Sequence, residues 1–523
     1  MFEEKASYKP IHYIFLLLIL LVYLINVQHY SFLGDDAFIS FRYAKHFARG
    51  DGLVWNLGEA VEGYTNFLWV LILAFGMKLN LSPESLSITL STIAGFLTLV
   101  YLFKFSLRIG SRHSFTFWIP VLYLAINRSF AAWSTSGLET MLFTALIFIG
   151  FFYFFREREN NSKPYSVILF VLASLTRPEG ILFSGGVIFL KLFDALRAGS
   201  IRRSDKNWIM IYFSCIALHF SWRYLYYGYW LPNTFYAKVG GIWIDQGIRY
   251  LLLFLDNYQL LWFLPFIFLA PFLSRKYEVL VSMLIVCAYL LYVVCVGGDR
   301  FEYRFIIVCF PFLLFLIASA LHEISKWGGA FRYAALGLFL FLLLFDYSGS
   351  RFEPKKNDRH GIAMISGIKG YADRRIQQGK YLSQKINEGK LPRDLVVGLG
   401  GVGAIPYYTD WTTVDRRGLN DLYISHLPLK QRGIVAHERE APYDYLTERK
   451  VVVFDIFNRL LHTPGAGYLK DAESTFRPGK FMHDGKAVRI RAIDLGEKTL
   501  LFATFVPDAD LLTIFKDNEV RMQ

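Results

Sequence analysis

Two carboxylates side by side, Asp35 and Asp36, follow an apolar run over residues 11–27 and open the stretch GDDAFISFRYA at residues 34–44. Ionisable groups at a membrane exit are costly and usually functional. A hydroxyl is a weak nucleophile, and a carboxylate that takes up its proton in the transition state helps it attack. Either acid therefore qualifies as a general base. The pair can also hold a divalent cation, Mg²⁺ or Mn²⁺, through oxygen ligands. The competing reading is a helix N-cap, a role that needs one Asp and leaves the other surplus.

A basic stripe comes next. Arg42, Lys45, His46 and Arg49 recur at spacings of three and four, which places them on one helix face. That face suits anionic lipid headgroups, or it cradles a single phosphate through charge-assisted hydrogen bonds. Further candidates gather in five short segments. Tyr64 and Asn66 lie in EGYTNFLW, Glu139 in SGLET, and Arg177 and Glu179 in TRPEG. Trp230, Asn233 and Tyr236 lie in the aromatic run at 226–236, and Asp299, Arg300, Glu302 and Arg304 in GGDRFEYRF. Charges at span ends commonly pair with one another. The aromatics suit either an interfacial belt or stacking against a substrate ring.

The elements that must position these residues are mostly apolar. The chain of 523 residues is 54% hydrophobic and 18% aromatic, with mean hydropathy +0.34. That excludes an ordinary soluble enzyme and predicts a polytopic α-helical membrane protein. Eleven spans are expected, at residues 11–27, 85–107, 115–133, 138–155, 165–176, 180–196, 208–226, 258–273, 279–296, 305–321 and 333–345. The run 67–79 is too short to cross and reads as an interfacial or re-entrant helix. With the N-terminus in the cytoplasm, the basic loops near Arg108/Arg112, Arg156/Arg158, Arg202/Arg203, Arg275/Lys276 and Lys326/Arg332 fall inside. The loops carrying the candidate residues then share the outer face, and an odd span count puts the C-terminus outside as well.

The net charge of +13 belongs largely to these anchoring loops and carries no nucleic-acid signal. The four cysteines all fall in apolar runs, so no disulfide framework is implied. Residues 1–348 read as the membrane module, with a first outer loop at 31–66, and residues 349–523 as a soluble α/β domain. In the latter, helix is predicted over 359–388, a strand, Gly-rich turn and short helix over 394–408, and strands at 412–414 and 451–455. Gly398, Gly400 and Gly403 have dinucleotide-fingerprint spacing, but a lone match outside the cytoplasm reads better as a tight strand-to-helix turn. The polar run DRRGLND at 415–421 reads as a surface loop, with sugar binding as the alternative.

Taken in order, GDDAFISFRYA, GLVWN, EGYTNFLW, SGLET, TRPEG, GYWLPNTFYAK and DRFEYRF, with GLGGVGAIPYY and DRRGLND in the tail, resemble the membrane glycosyltransferases of the GT-C class. The likeness is greatest to the terminal β-arabinofuranosyltransferases of the mycobacterial cell wall and their bacterial relatives, and covers almost the whole chain. The resemblance implies a polyprenyl-phosphate sugar donor and transfer on the periplasmic face of the inner membrane to a glycan, lipid or protein acceptor. It also implies a key acid in the first outer loop, which maps to Asp35 or Asp36, with Asp35 preferred as the first acid after the span. Glu139 takes the place of a second acid, and Arg177 and Glu179 that of polar residues near the donor. On this reading Arg42, Arg177, Arg300 and Arg304 bind the donor phosphate. Glu139, Glu179, Tyr64, Asn66, Trp230, Asn233, Tyr236 and Asp299 contact substrate. A transporter or flippase of lipid-linked sugars is the alternative, disfavoured because the charges gather at one face and no internal repeat is visible.

Overall fold

A computed structural model of the chain describes residues 10–108, 115–160, 162–238, 240–349, 362–429, 437–456, 458–462, 481–515 and 520–522. Apolar sequence in lipid has no water to satisfy backbone groups, so it folds as helix. Four described helices are long and apolar enough to cross alone: Ile11–His29, Pro83–Ser106, Thr140–Asn160 and Tyr277–Cys295. Ile244–Asn257 and Leu260–Ser274 form a fifth candidate, a pair bent by 91°. The helix Thr140–Asn160 is the central post, with 83% of its apolar window buried; a helix that is apolar all round belongs inside a bundle.

Several expected spans differ from these helices. The run 115–133 is a 3-10 turn, Phe115–Trp118, and two short helices, Ile119–Ile126 and Arg128–Trp133. The break is Asn127, whose side chain accepts from Phe130 N–H at 3.0 Å and so starts the second helix. The run 258–273 is largely the second arm of the bent pair, and its first arm, Ile244–Asn257, occupies what reads as outer loop. Other runs are helical but short, such as Ser166–Thr176 with 11 residues and Phe310–Ile324 with 15. Length and composition thus support four or five spans among the described residues, against the eleven expected. The helix Phe67–Lys78 has 12 residues, about 18 Å, and is short as expected. Arg112 lies outside the described residues.

The α/β character of the tail is present. A helix, Ile365–Asn387, precedes a sheet; the expected start at 359–361 lies outside the described residues. Strands β1 (Val396–Leu399), β2 (Thr412–Asp415) and β3 (Val453–Phe454) pair in parallel in the order β2-β1-β3. An antiparallel extension follows: β4 (Leu461–His462), β5 (Phe481–His483), β6 (Lys486–Asp494), β7 (Thr499–Thr504) and β8 (Val520–Met522). The Gly-rich stretch is the expected turn from β1 into the helix Ala404–Thr409.

The tail is fastened to the segment that follows the first helix by the basic stripe itself. Arg42 is 1% exposed on the helix Ala37–Arg49. It donates to the carbonyls of Trp55 at 2.9 Å, Pro406 at 2.8 Å and Trp411 at 2.9 Å. Lys45 donates to the Tyr407 carbonyl at 2.9 Å and pairs with Asp410, as does Arg49. The stripe therefore faces protein, and Arg42 is not available to a donor phosphate. A second seam joins GGDRFEYRF to the start of the tail. Glu302 N–H donates to the Ala363 carbonyl at 3.0 Å, and the Glu302 carboxylate accepts from Ser129 Oγ and Ile365 N–H. The run 415–421 is likewise no surface loop, since Asp415, Asn420 and Asp421 are all buried.

Replacing Arg42 by Met leaves three buried carbonyls without their donor. The Arg42→Met protein is expected to lose about 3–5 kcal/mol of stability. Arg42→Lys should recover little, because an ammonium cannot span the same fork. Limited proteolysis of the tail and detergent-resistance melting of the full chain measure both.

Candidate active site

Where the loops carrying these residues meet, a cavity of about 490 Å³ opens. The first acid after the membrane exit does not reach it. Asp35 is 5% exposed, and its carboxylate accepts from Ala404 N–H at 2.9 Å and Gly403 N–H at 3.3 Å. The place a pyrophosphate would occupy over a Gly-rich turn is thus taken by a side chain of the same protein. Gly403 is required by contact: a Cβ there would lie 1.9 Å from the Asp35 carbonyl oxygen. The preference for Asp35 as base is therefore reversed, because both its oxygens are committed to backbone donors.

Asp36 lines the cavity. Arg300 donates to its Oδ1 at 3.1 Å and Oδ2 at 3.4 Å, and the other Arg300 nitrogen donates to His437 Nε2 at 3.1 Å. Burial opposes the charged form of Asp36, yet Arg300, Lys238, Arg304 and His437 hold its carboxyl below the usual aspartate value. Asp35 moves the other way. Burial raises it, with Arg375 and the two backbone N–H groups pulling back and Asp36 adding to the rise. Neighbouring carboxyls driven apart in this way take different roles.

The remaining charges pair across the cavity wall. Arg177 is gripped by two acids, Glu139 at 2.8 Å and Glu179 at 2.8 Å, and Asn66 donates to Glu139 at 2.8 Å. Two carboxylates more than balance its charge, so Arg177 shapes the wall and is a poor anion clamp. Arg304 is held by Asp299 at 2.6 Å. Lys238, at the end of the short helix Asn233–Lys238, lines the same space and makes no hydrogen bond or ion pair among the described residues. Burial lowers its pKa, with Asp36 and Asp299 opposing and Arg304 and Arg300 adding to the fall. Lys238 closes the segment GYWLPNTFYAK, whose aromatics and Asn233 were the expected contacts; the lysine at its end is the residue that reaches the cavity.

Of the residues singled out in the sequence, Asp36, Arg177, Arg300, Arg304, Glu139, Glu179, Tyr64, Asn66 and Asp299 all line the cavity. Trp230, Asn233 and Tyr236 do not. Trp230 stacks on Tyr224 at the surface, and Tyr236 stacks on His426. Asn233 donates to the carbonyls of Gly418 and Leu419 at 2.9 and 2.8 Å, fastening the tail. Leu419 and Glu438 bring the tail into the wall, while exposed Leu231, Phe235 and Ile242 form an apolar rim. The expected divalent cation does not fit the acid pair. The two carboxylates serve different partners, and no group of three or more His, Cys, Asp or Glu residues among those described could hold a metal.

Against this geometry, comparison with known proteins gives three results. Residues 368–490 match a domain of unknown function, DUF8728. Over 254 residues the chain is 28% identical to a terminal β-(1→2)-arabinofuranosyltransferase of Mycobacterium tuberculosis. That match covers 44% of this chain and spans 38% of the relative's length. The fold is that of ArnT from Cupriavidus metallidurans. The structure bound to undecaprenyl phosphate matches with TM-score 0.59 at 11% identity, covering 95% of this chain and 98% of that one. The apo structure matches with TM-score 0.53 at 12% identity, covering 94% and 98%. The resemblance seen in the motif series is thus met in sequence over 44% of the chain, and in fold over 95% of it.

The Glu139–Arg177–Glu179 triad is nearly buried, so breaking it unevenly should be costly. Glu179→Ala is expected to destabilise the chain by about 3–5 kcal/mol. The joint replacement Glu139→Gln, Arg177→Met, Glu179→Gln should cost less than half as much. Denaturation in mixed micelles compares the two.

Proposed function

We propose that the chain is a membrane glycosyltransferase that moves a sugar from a polyprenyl-phosphate donor to a cell-envelope glycan, lipid or protein acceptor. The observation that carries this reading is one cavity holding an ionised acid, Asp36, beside an unpaired cation, Lys238, under an apolar rim. The ArnT fold, seen with undecaprenyl phosphate in that protein, supports a lipid-linked donor. The named relative supports arabinofuranose as the sugar. The charge of the basic loops supports a cytoplasmic N-terminus and a periplasmic cavity, and Leu419 and Glu438 put the C-terminal α/β domain on the cavity's side.

In this mechanism the isoprenoid lies along the rim of Leu231, Phe235 and Ile242, and the phosphate enters among Lys238, Arg300 and Arg304. These cations stabilise the charge that grows on the departing phosphate. Asp36 takes the proton of the acceptor hydroxyl as that oxygen attacks the anomeric carbon. No covalent intermediate on the enzyme is required. The same three cations keep Asp36 acidic in the empty cavity. A bound phosphate draws on their field and adds its own negative charge, so Asp36 becomes a stronger base once the donor is in place.

Full-length protein given a panel of radiolabelled polyprenyl-phosphate sugars tests the reading. Asp36→Asn is expected to lower transfer about 10³-fold or more with the melting temperature unchanged. Lys238→Met should raise the donor KM about 10- to 100-fold, the loss of a charge-assisted contact. Undiminished transfer by Asp36→Asn, or lipid movement without a new glycosidic bond, overturns it.

A further inference from the structure

Asp35 takes no part in that mechanism, yet it is held more completely than Asp36. Its two oxygens are fixed by Gly403 and Ala404 N–H. The preceding residue is fixed as well, with Gly34 N–H donating to the Ser136 carbonyl at 2.9 Å. The turn that grips Asp35 is itself supported from below. Arg375 donates to the Gly401 carbonyl at 2.6 Å and pairs with Asp455 at 2.6 Å, both side chains wholly buried. Asp36 follows at once with helical backbone angles, φ −60° and ψ −23°, so any rotation at Asp35 swings the Asp36 carboxylate. The far side of Asp36 is set from the tail too. Arg300, its partner, meets His437, and the Arg300 carbonyl accepts from Ala363 N–H at 2.6 Å.

We propose that Asp35 is a positioning residue, and that the turn at residues 400–404 fixes where the Asp36 carboxylate stands in the cavity while lending no atom to the reaction. The inference rests on Asp36 being the base and adds a role for the tail: it is part of the catalytic geometry, beyond any part in acceptor binding. Displacing a reacting group by about 1 Å can cost about 100-fold in rate, so a rigid grip on the neighbouring residue has a kinetic consequence.

The charged groups facing Asp36 are Asp35 beside it, Arg300 and Arg304 from the segment 299–305, Lys238 from the outer loop and His437 from the tail. Moving Asp36 away from those cations raises the pH at which it protonates. Carbodiimide reacts with protonated carboxyls, so its labelling of Asp36 against pH, mapped by peptide mass spectrometry on the full chain, reports position without needing turnover. Asp35→Asn removes one of the two acceptors. Gly403→Ala drives a Cβ into Asp35 and keeps both acids. Gly403→Ala is expected to raise the labelling midpoint of Asp36 by about one pH unit; in Asp35→Asn the lost negative charge lowers the midpoint and offsets that rise, so this variant is read by its rate. Both should lower kcat about 10- to 100-fold with the donor KM little changed. Gly370→Ala, where a Cβ would meet only Arg374 at 3.9 Å, should keep the parent midpoint. An unchanged midpoint in Gly403→Ala overturns the proposal, even if the variant melts earlier, because loss of folded protein lowers amplitude without moving a titration; so does an unchanged kcat in Asp35→Asn. Failure of the transferase reading is separate: it shows as transfer insensitive to Asp36→Asn, and the labelling midpoints stand regardless.

Discussion

Six residues of helix, Ala404–Thr409, are held at both ends by residues 35–45, and the placing of the tail follows from that grip. A helix end leaves backbone groups unpaired, N–H at the start and C=O at the finish. Here the Asp35 carboxylate takes the N–H groups of Gly403 and Ala404, while Arg42 and Lys45 take the carbonyls of Pro406 and Tyr407. The signs also match the helix dipole, acid at the positive end and bases at the negative one. Both sets of side chains come from one short stretch, residues 35–45, which can reach both ends only when the tail is seated.

That seating divides two adjacent acids between two tasks. Asp35 faces backbone N–H groups and belongs to the joint. Asp36, one residue on, faces Arg300 and the cavity. The division explains why a pair is present where a helix cap would need one acid. It also explains why the pair makes a poor metal site, since neither carboxylate is free to turn toward the other's ligand.

Charge pairing decides what the cavity can hold. Of the four lining cations among the described residues, Arg177 is over-matched by two glutamates and Arg304 is matched by Asp299. Arg300 is shared between Asp36 and His437. Lys238 keeps its donors, and a compact ammonium with rotatable donors suits a phosphate arriving as a point charge. The arginine-rich motifs therefore build the walls, and the lysine that ends GYWLPNTFYAK supplies the open valence.

The membrane character, the α/β tail, the strand–turn–helix over 394–408 and the gathering of acids and arginines on one face were all legible in the linear chain. Apolar run length, strand pattern and loop charge are local properties, and local sequence reports them. The interruption at Asn127, the bend near residues 257–260 and the antiparallel half of the sheet were not. Each depends on packing partners far away in the chain. The same holds for the site. Residue type marked Asp36, Arg177, Arg300, Glu139 and Asp299 as cavity residues, but it also marked Arg42, Asn233 and Asp35, which the fold spends on seating the tail. An aspartate, an arginine or an asparagine offers the same donors and acceptors to a backbone as to a ligand. Only the tertiary structure decides which it meets, because the competing backbone groups lie nearly 370 residues away from Asp35 and Arg42 and about 185 from Asn233.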